Sequence, residues 1–70
     1  MANERITIQL EDEYTAYLVI KDSSGKDISS SALLPLDEVV LMAKGAIIAK
    51  DIKNNDLLQA GFDFAMSHIT

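Results

Sequence analysis

Seventy residues, 49% of them hydrophobic, make a single domain over 1–70. At that size a lone core is marginal, burying only about 60% of the unfolded surface. With no cysteine and one histidine, disulfides, thiolate metal sites and cysteine nucleophiles are excluded, and a structural zinc lacks ligands. No cofactor or metal is therefore expected.

Eleven acids against six bases leave a net charge of −5. That balance works against phosphate-backbone binding, which draws its affinity from Lys and Arg, so nucleic acid is not an expected partner. No charged-then-apolar signal pattern opens the chain, and no stretch is long enough to span a membrane. A cytoplasmic protein is expected. Small domains lacking disulfides and metals gain stability by associating, so the expected state is a homodimer or higher.

Met1–Glu4 reads as a frayed end. Arg5–Leu10, RITIQL, then alternates strictly. Ile6, Ile8 and Leu10 share one face and Arg5, Thr7 and Gln9 the other, the pattern of a half-buried strand. Glu11, Asp12 and Glu13 form a polar break. Three consecutive carboxylates cannot converge on one ion, and calcium-loop spacing is absent, so they read as a solvated turn.

Tyr14–Lys21, YTAYLVIK, is β-branched and aromatic. Ala16, Leu18 and Ile20 line one face while Tyr17 and Val19 make the other apolar as well, so it reads as an inner antiparallel strand. A turn follows at Asp22–Asp27, with Gly25 free to take positive φ. Ile28–Leu34, ISSSALL, reads as a third, weaker strand suited to an edge. A serine nucleophile needs a positioned base, and none stands near these serines.

Pro35–Lys53 is the central helix. Pro35 suits a first turn. Asp37 and Glu38 complement the positive end of the dipole, and Lys50 and Lys53 the negative end. The one narrow polar stripe is Asp37, Lys44 and Asp51, and even beside it Leu41 and Ile48 are apolar. Such a helix is expected to be covered on more than one side. Leu41, Gly45, Ile48, Ala49 and Ile52 are the candidate helix-packing interface, where Gly45 and its alanine neighbours let another backbone approach.

Asn54-Asn55-Asp56 breaks the chain, and a second helix starts with Asp56 as cap and Gln59 three residues on. Leu58, Phe62, Ala65 and Ile69 form its apolar stripe, widened by Leu57, Phe64 and Met66. Gln59, Asp63, Ser67 and Thr70 are polar. Phe62, Phe64 and Met66 read as core, with a partner-binding groove as the alternative. Histidine is the usual general base near neutral pH, but His68, two residues from the last one, is a poor mount for that role. No enzymatic activity is expected.

Arg5–Glu13, RITIQLEDE, resembles the opening of ribbon-helix-helix DNA-binding repressors. The resemblance implies that this strand pairs with its twin in a dimer and that Arg5, Thr7 and Gln9 read bases in the major groove. It also implies a helix at about 12–24 and a second from near Ser29. The residues themselves point elsewhere, because 14–21 alternates like a strand and Pro35 falls inside that second helix.

The expected architecture is α+β: a three-stranded antiparallel meander followed by two helices packed on one face, in a dimer. The expected role is non-enzymatic, a small homodimeric regulator, adaptor or inhibitor acting by protein–protein binding. Its candidate binding or dimer face is Thr7, Gln9, Tyr17 and Val19 with the acidic turn Glu11, Asp12 and Glu13. The ribbon-helix-helix repressor is the alternative. An acidic phage-type inhibitor occupying the channel of a nucleic-acid-binding protein is a further one.

Overall fold

The computed structural model describes residues 4–54 and 56–68. It is an α+β fold, an antiparallel sheet followed by two helices. The expectations placed on Met1–Asn3, Asn55, Ile69 and Thr70 lie outside the described residues.

Strand β1 (Arg5–Leu10) pairs along its whole length with β2 (Thr15–Lys21), from Arg5 opposite Lys21 to Leu10 opposite Ala16. Asp12 makes the turn between them, its Oδ1 accepting from the N–H groups of Tyr14 (2.8 Å) and Thr15 (2.9 Å). After β2 the chain reverses through a second carboxylate-held turn. Asp22 Oδ1 accepts from the N–H and hydroxyl of Ser24 and from the Lys26 N–H. Gly25 there takes φ +88°, open to glycine at little cost.

The third strand differs from its expected form. Ile28–Leu34 is not continuous. It divides into β3 (Asp27–Ser30) and β4 (Leu34–Pro35), both paired with the same edge of β2. Two local causes are visible. The register slips between Ile20 and Lys21, leaving Ile28 as an extra residue, as in a β-bulge. Ser31 then puts its hydroxyl into the ladder. Leu18 N–H donates to Ser31 Oγ (2.9 Å) while Ser31 N–H donates to the Leu18 carbonyl (2.8 Å). A side-chain acceptor in place of a carbonyl lets the backbone turn away after Ser31.

Helix α1 (Leu36–Asp51) starts directly after β4, so Pro35 serves as its N-cap rather than its first helical residue. Its end is a Schellman motif. Asn54 N–H reaches the Ala49 carbonyl (2.9 Å), and Lys53 N–H reaches that of Lys50 (3.1 Å). Lys53 occupies the left-handed position at φ 59°, where glycine is the usual residue. Helix α2 (Leu57–His68) is capped by Asp56, whose Oδ1 accepts from the Gln59 N–H at 3.1 Å. The Gln59 side chain binds Asp63 instead of returning to the cap, so the capping box is half made.

Ala16, Leu18 and Ile20 form one core with Val39, Met42, Ala46 and Ala49 of α1 and Leu57 and Ala65 of α2. Both helices therefore cover the same face of the sheet. The helices cross at two glycines. A Cβ on Gly45 would overlap the Phe64 side chain, and one on Gly61 would overlap the Met42 carbonyl oxygen. The buried stripe of α2 is Leu57, Gly61 and Ala65. Expectation centred it on Leu58 and Phe62, but Phe62 and Met66 are exposed. The stripe is rotated because backbone-to-backbone contact at Gly61 outweighs the larger apolar side chains beside it.

Candidate functional site

Thr7, Gln9, Tyr17 and Val19 come together on the outer face of the sheet, Thr7 directly opposite Val19 and Gln9 opposite Tyr17. Val19 is only 3% exposed, and the Thr7 hydroxyl donates to its carbonyl at 2.9 Å. Val19 thus offers a partner almost no area, and Tyr17, half-buried, is the main apolar feature beside it. Glu11, Asp12 and Glu13 are all exposed at the end of this face. Asp12 is held in the turn, and its pKa lies below the ordinary 3.8, first because of the Tyr14 N–H and then through Thr15.

The helix-packing set divides. Gly45 and Ala49 are buried within the chain, Gly45 against α2, and Leu41 is half-buried against the core. Ile48 and Ile52 face outward at 51% and 71% exposure. Of the possible groove residues on α2, Phe64 packs over Gly45 and stacks on the His68 ring with centroids 4.1 Å apart. Phe62 reaches a concave surface. It lines a cleft of about 410 Å³ with Ser30, Ser31, Leu34, Met42 and Leu58. This cleft exists because β3 and β4 are separated, and the interrupted strand left no clear sign of it in the sequence beyond the serine run.

The helical period places the remaining apolar residues of α1. The flank turned away from Gly45 and α2 carries Leu36, Val40, Ala43 and Ile47. On the same flank, Lys50 Nζ donates to the Glu4 carbonyl at the start of β1. Val40 and Ile47 are exposed, as are Ile8 and Leu10 on the helix side of β1. These four residues border the outer edge of β1, with which no strand pairs among the described residues.

The direction of the free backbone groups follows from one bond. Glu11 N–H donates to the Thr15 carbonyl (3.0 Å), so odd positions of β1 make the hydrogen-bonded pairs with β2. The two kinds of pair alternate in an antiparallel ladder. Ile6, Ile8 and Leu10 therefore point their N–H and C=O groups out of the sheet edge.

The chemistry-bearing groups are dispersed. Lys21 and Asp27 form a surface ion pair at 2.6 Å. Among the described residues no three His, Asp or Glu side chains are placed to hold a metal. No described helix is long and apolar enough to cross a membrane. The helix that the ribbon-helix-helix resemblance implies over 12–24 is replaced by strand β2, and residues 34–35 are a strand leading into α1. Comparison with protein-family models, curated proteins and solved structures gives no match to this chain.

Proposed function

We propose that this protein is a small homodimer that acts by binding another protein, as a regulator, adaptor or inhibitor. One observation carries the reading. Among the described residues six large apolar side chains are buried (Leu18, Val19, Ile20, Val39, Met42 and Leu57), whereas eleven are exposed. Single exposed apolar residues are ordinary, but clustered ones mark interaction surfaces. Four of them, Ile8, Leu10, Val40 and Ile47, gather on the β1 side of α1, which suits self-association, and Phe62 lines the cleft, which suits a partner.

The cleft would take a partner's apolar side chain against Leu34, Met42, Leu58 and Phe62, with Ser30, Ser31, Asp56 and Gln59 as its polar lining. Its volume falls in the range of natural ligand sites. The test is capture from source cells with wild-type protein and with Phe62→Glu, alongside mass measurement of both. A protein retained in fixed stoichiometry by the wild type, and lost with an intact Phe62→Glu dimer, is the expected result. Retention of nucleic acid alone, or of the same protein by both forms, contradicts the reading.

A further inference from the structure

We infer that the second copy docks on the free edge of β1, joining the two sheets into one through antiparallel β1–β1 pairing with Ile8 on the two-fold axis. This deepens the homodimer reading above and rests on it.

The edge is built for such a contact. Over six residues β1 keeps an unbroken register with β2 and contains neither glycine nor proline. Edges that must stay unpaired are usually blunted by bulges, prolines or inward charges, and this one has none of those devices. Ile6, Ile8 and Leu10 already present their N–H and C=O groups outward, as derived above, so pairing needs no rearrangement.

Symmetry restricts the register. Residues facing each other across an antiparallel ladder share a face, so a two-fold axis normal to the sheet matches even positions with even and odd with odd. Near the strand centre that leaves Ile8 opposite Ile8, or Thr7 opposite Thr7. In the Thr7 register Glu4 would face Leu10 of the second copy, a charge against an apolar side chain. With Ile8 on the axis, Ile6 faces Leu10 and Thr7 faces Gln9. Arg5 then faces Glu11, twice by symmetry, and Glu4 comes level with Asp12, whose carboxylate is held back in its own turn.

Charge supports the second arrangement. Arg5 shares a polar cleft with Lys50, Glu4 and Ser23, two bases against one acid in a chain of net charge −5. The Ile8 register brings the acidic turn of the second copy, beginning at Glu11, to that spot. On the helix side, Ile8 and Leu10 of both copies would form a floor. Val40 and Ile47, exposed at 39% and 53%, would close over it from each α1. Apolar area now in water would be buried in one continuous layer.

Three readings test this with the full chain. Sedimentation at micromolar concentrations first gives the mass of the wild type, and a dimer is expected. A monomer at every concentration overturns the homodimer reading and this inference together. The chain has no cysteine, so single-cysteine variants then report the register. A hydrogen-bonded antiparallel pair sets Cα atoms about 5.5 Å apart, within disulfide reach. Mild oxidation should therefore cross-link Ile8→Cys at least tenfold faster than Thr7→Cys, which lies two residues out of step with its twin. Faster cross-linking of Thr7→Cys, or none in either, overturns this geometry while a dimeric wild type keeps the homodimer reading. Charge reversal gives an independent check should Ile8→Cys fold poorly. Arg5→Glu and Glu11→Arg should each weaken the dimer roughly tenfold through facing like charges, and the double variant should recover most of the loss. No recovery in the double variant overturns the pairing.

Discussion

The two edges of the sheet, and the two flanks of α1 above them, are treated in opposite ways. On the side of β3 and β4 the ladder is broken by a bulge at Ile28 and by the Ser31 hydroxyl, and it ends at Pro35. Above it the helices meet at Gly45 and Gly61 with no space for a Cβ. On the side of β1 the ladder is regular and, among the described residues, unpaired on its outer edge, and the flank of α1 above it leaves Val40 and Ile47 in water. One side is closed by the chain's own residues. The other has the same apolar and backbone resources, and among the described residues nothing pairs with them. That imbalance is what the proposed self-association would relieve.

Breaking the closed side should have the largest effect. Gly61→Ala drives a methyl into the Met42 carbonyl, a backbone atom that cannot swing aside. We expect a loss of about 3 kcal/mol in urea unfolding, at the upper end of overpacking costs. Ile47→Ser on the open flank of the same helix pair should change monomer stability by no more than about 0.5 kcal/mol. Its effect should appear instead as weaker self-association.

A smaller effect is expected at the interrupted strand. Ser31→Ala removes the acceptor for the Leu18 N–H, leaving a part-buried donor without a partner. That should cost about 1 kcal/mol in the same unfolding measurement, with no change in dimer mass.

The smallest effect concerns pH. Asp12 and Asp22 both have folded pKa values below 3.8, Asp12 first through the Tyr14 N–H and Asp22 first through the Ser24 hydroxyl. A depressed carboxylate stabilises the fold above its unfolded pKa, and the contribution is lost as pH falls through the folded value. Thermal melts should therefore weaken slightly below about pH 4. Asp12→Asn should lose less on that descent than the wild type, since one of the two depressed carboxylates is gone.

Much of the architecture was legible in the chain. Strict alternation marked β1 at its observed bounds, and β-branched residues marked β2 to within one residue. Asp56 was readable as a cap because its oxygen has an orphan N–H to satisfy. Gly45 could be read as a place for close approach, but its counterpart Gly61 could not, since a glycine adds nothing to an apolar stripe. The split of the third strand was hidden for a different reason. It depends on a serine hydroxyl taking the place of a carbonyl, a choice made only when β2 lies alongside. Period alone puts Thr7 and Gln9 on one face of β1 and Tyr17 and Val19 on one face of β2, and the register sets them opposite each other. How little of Val19 remains exposed follows from its cross-strand neighbours, which pattern alone does not reveal. The free edge of β1 likewise emerges only from the pairing, because which backbone groups face outward depends on which residues bond to β2.

The most direct test of an open side closed by a second copy is residue-resolved amide exchange in β1 at several protein concentrations. Thr7 and Gln9 should stay protected throughout, through their bonds to β2. Ile6, Ile8 and Leu10 should exchange freely when dilute and become protected as the dimer forms. If those three amides exchange freely at every concentration while the protein is dimeric, the second copy does not sit on this edge and the account is wrong.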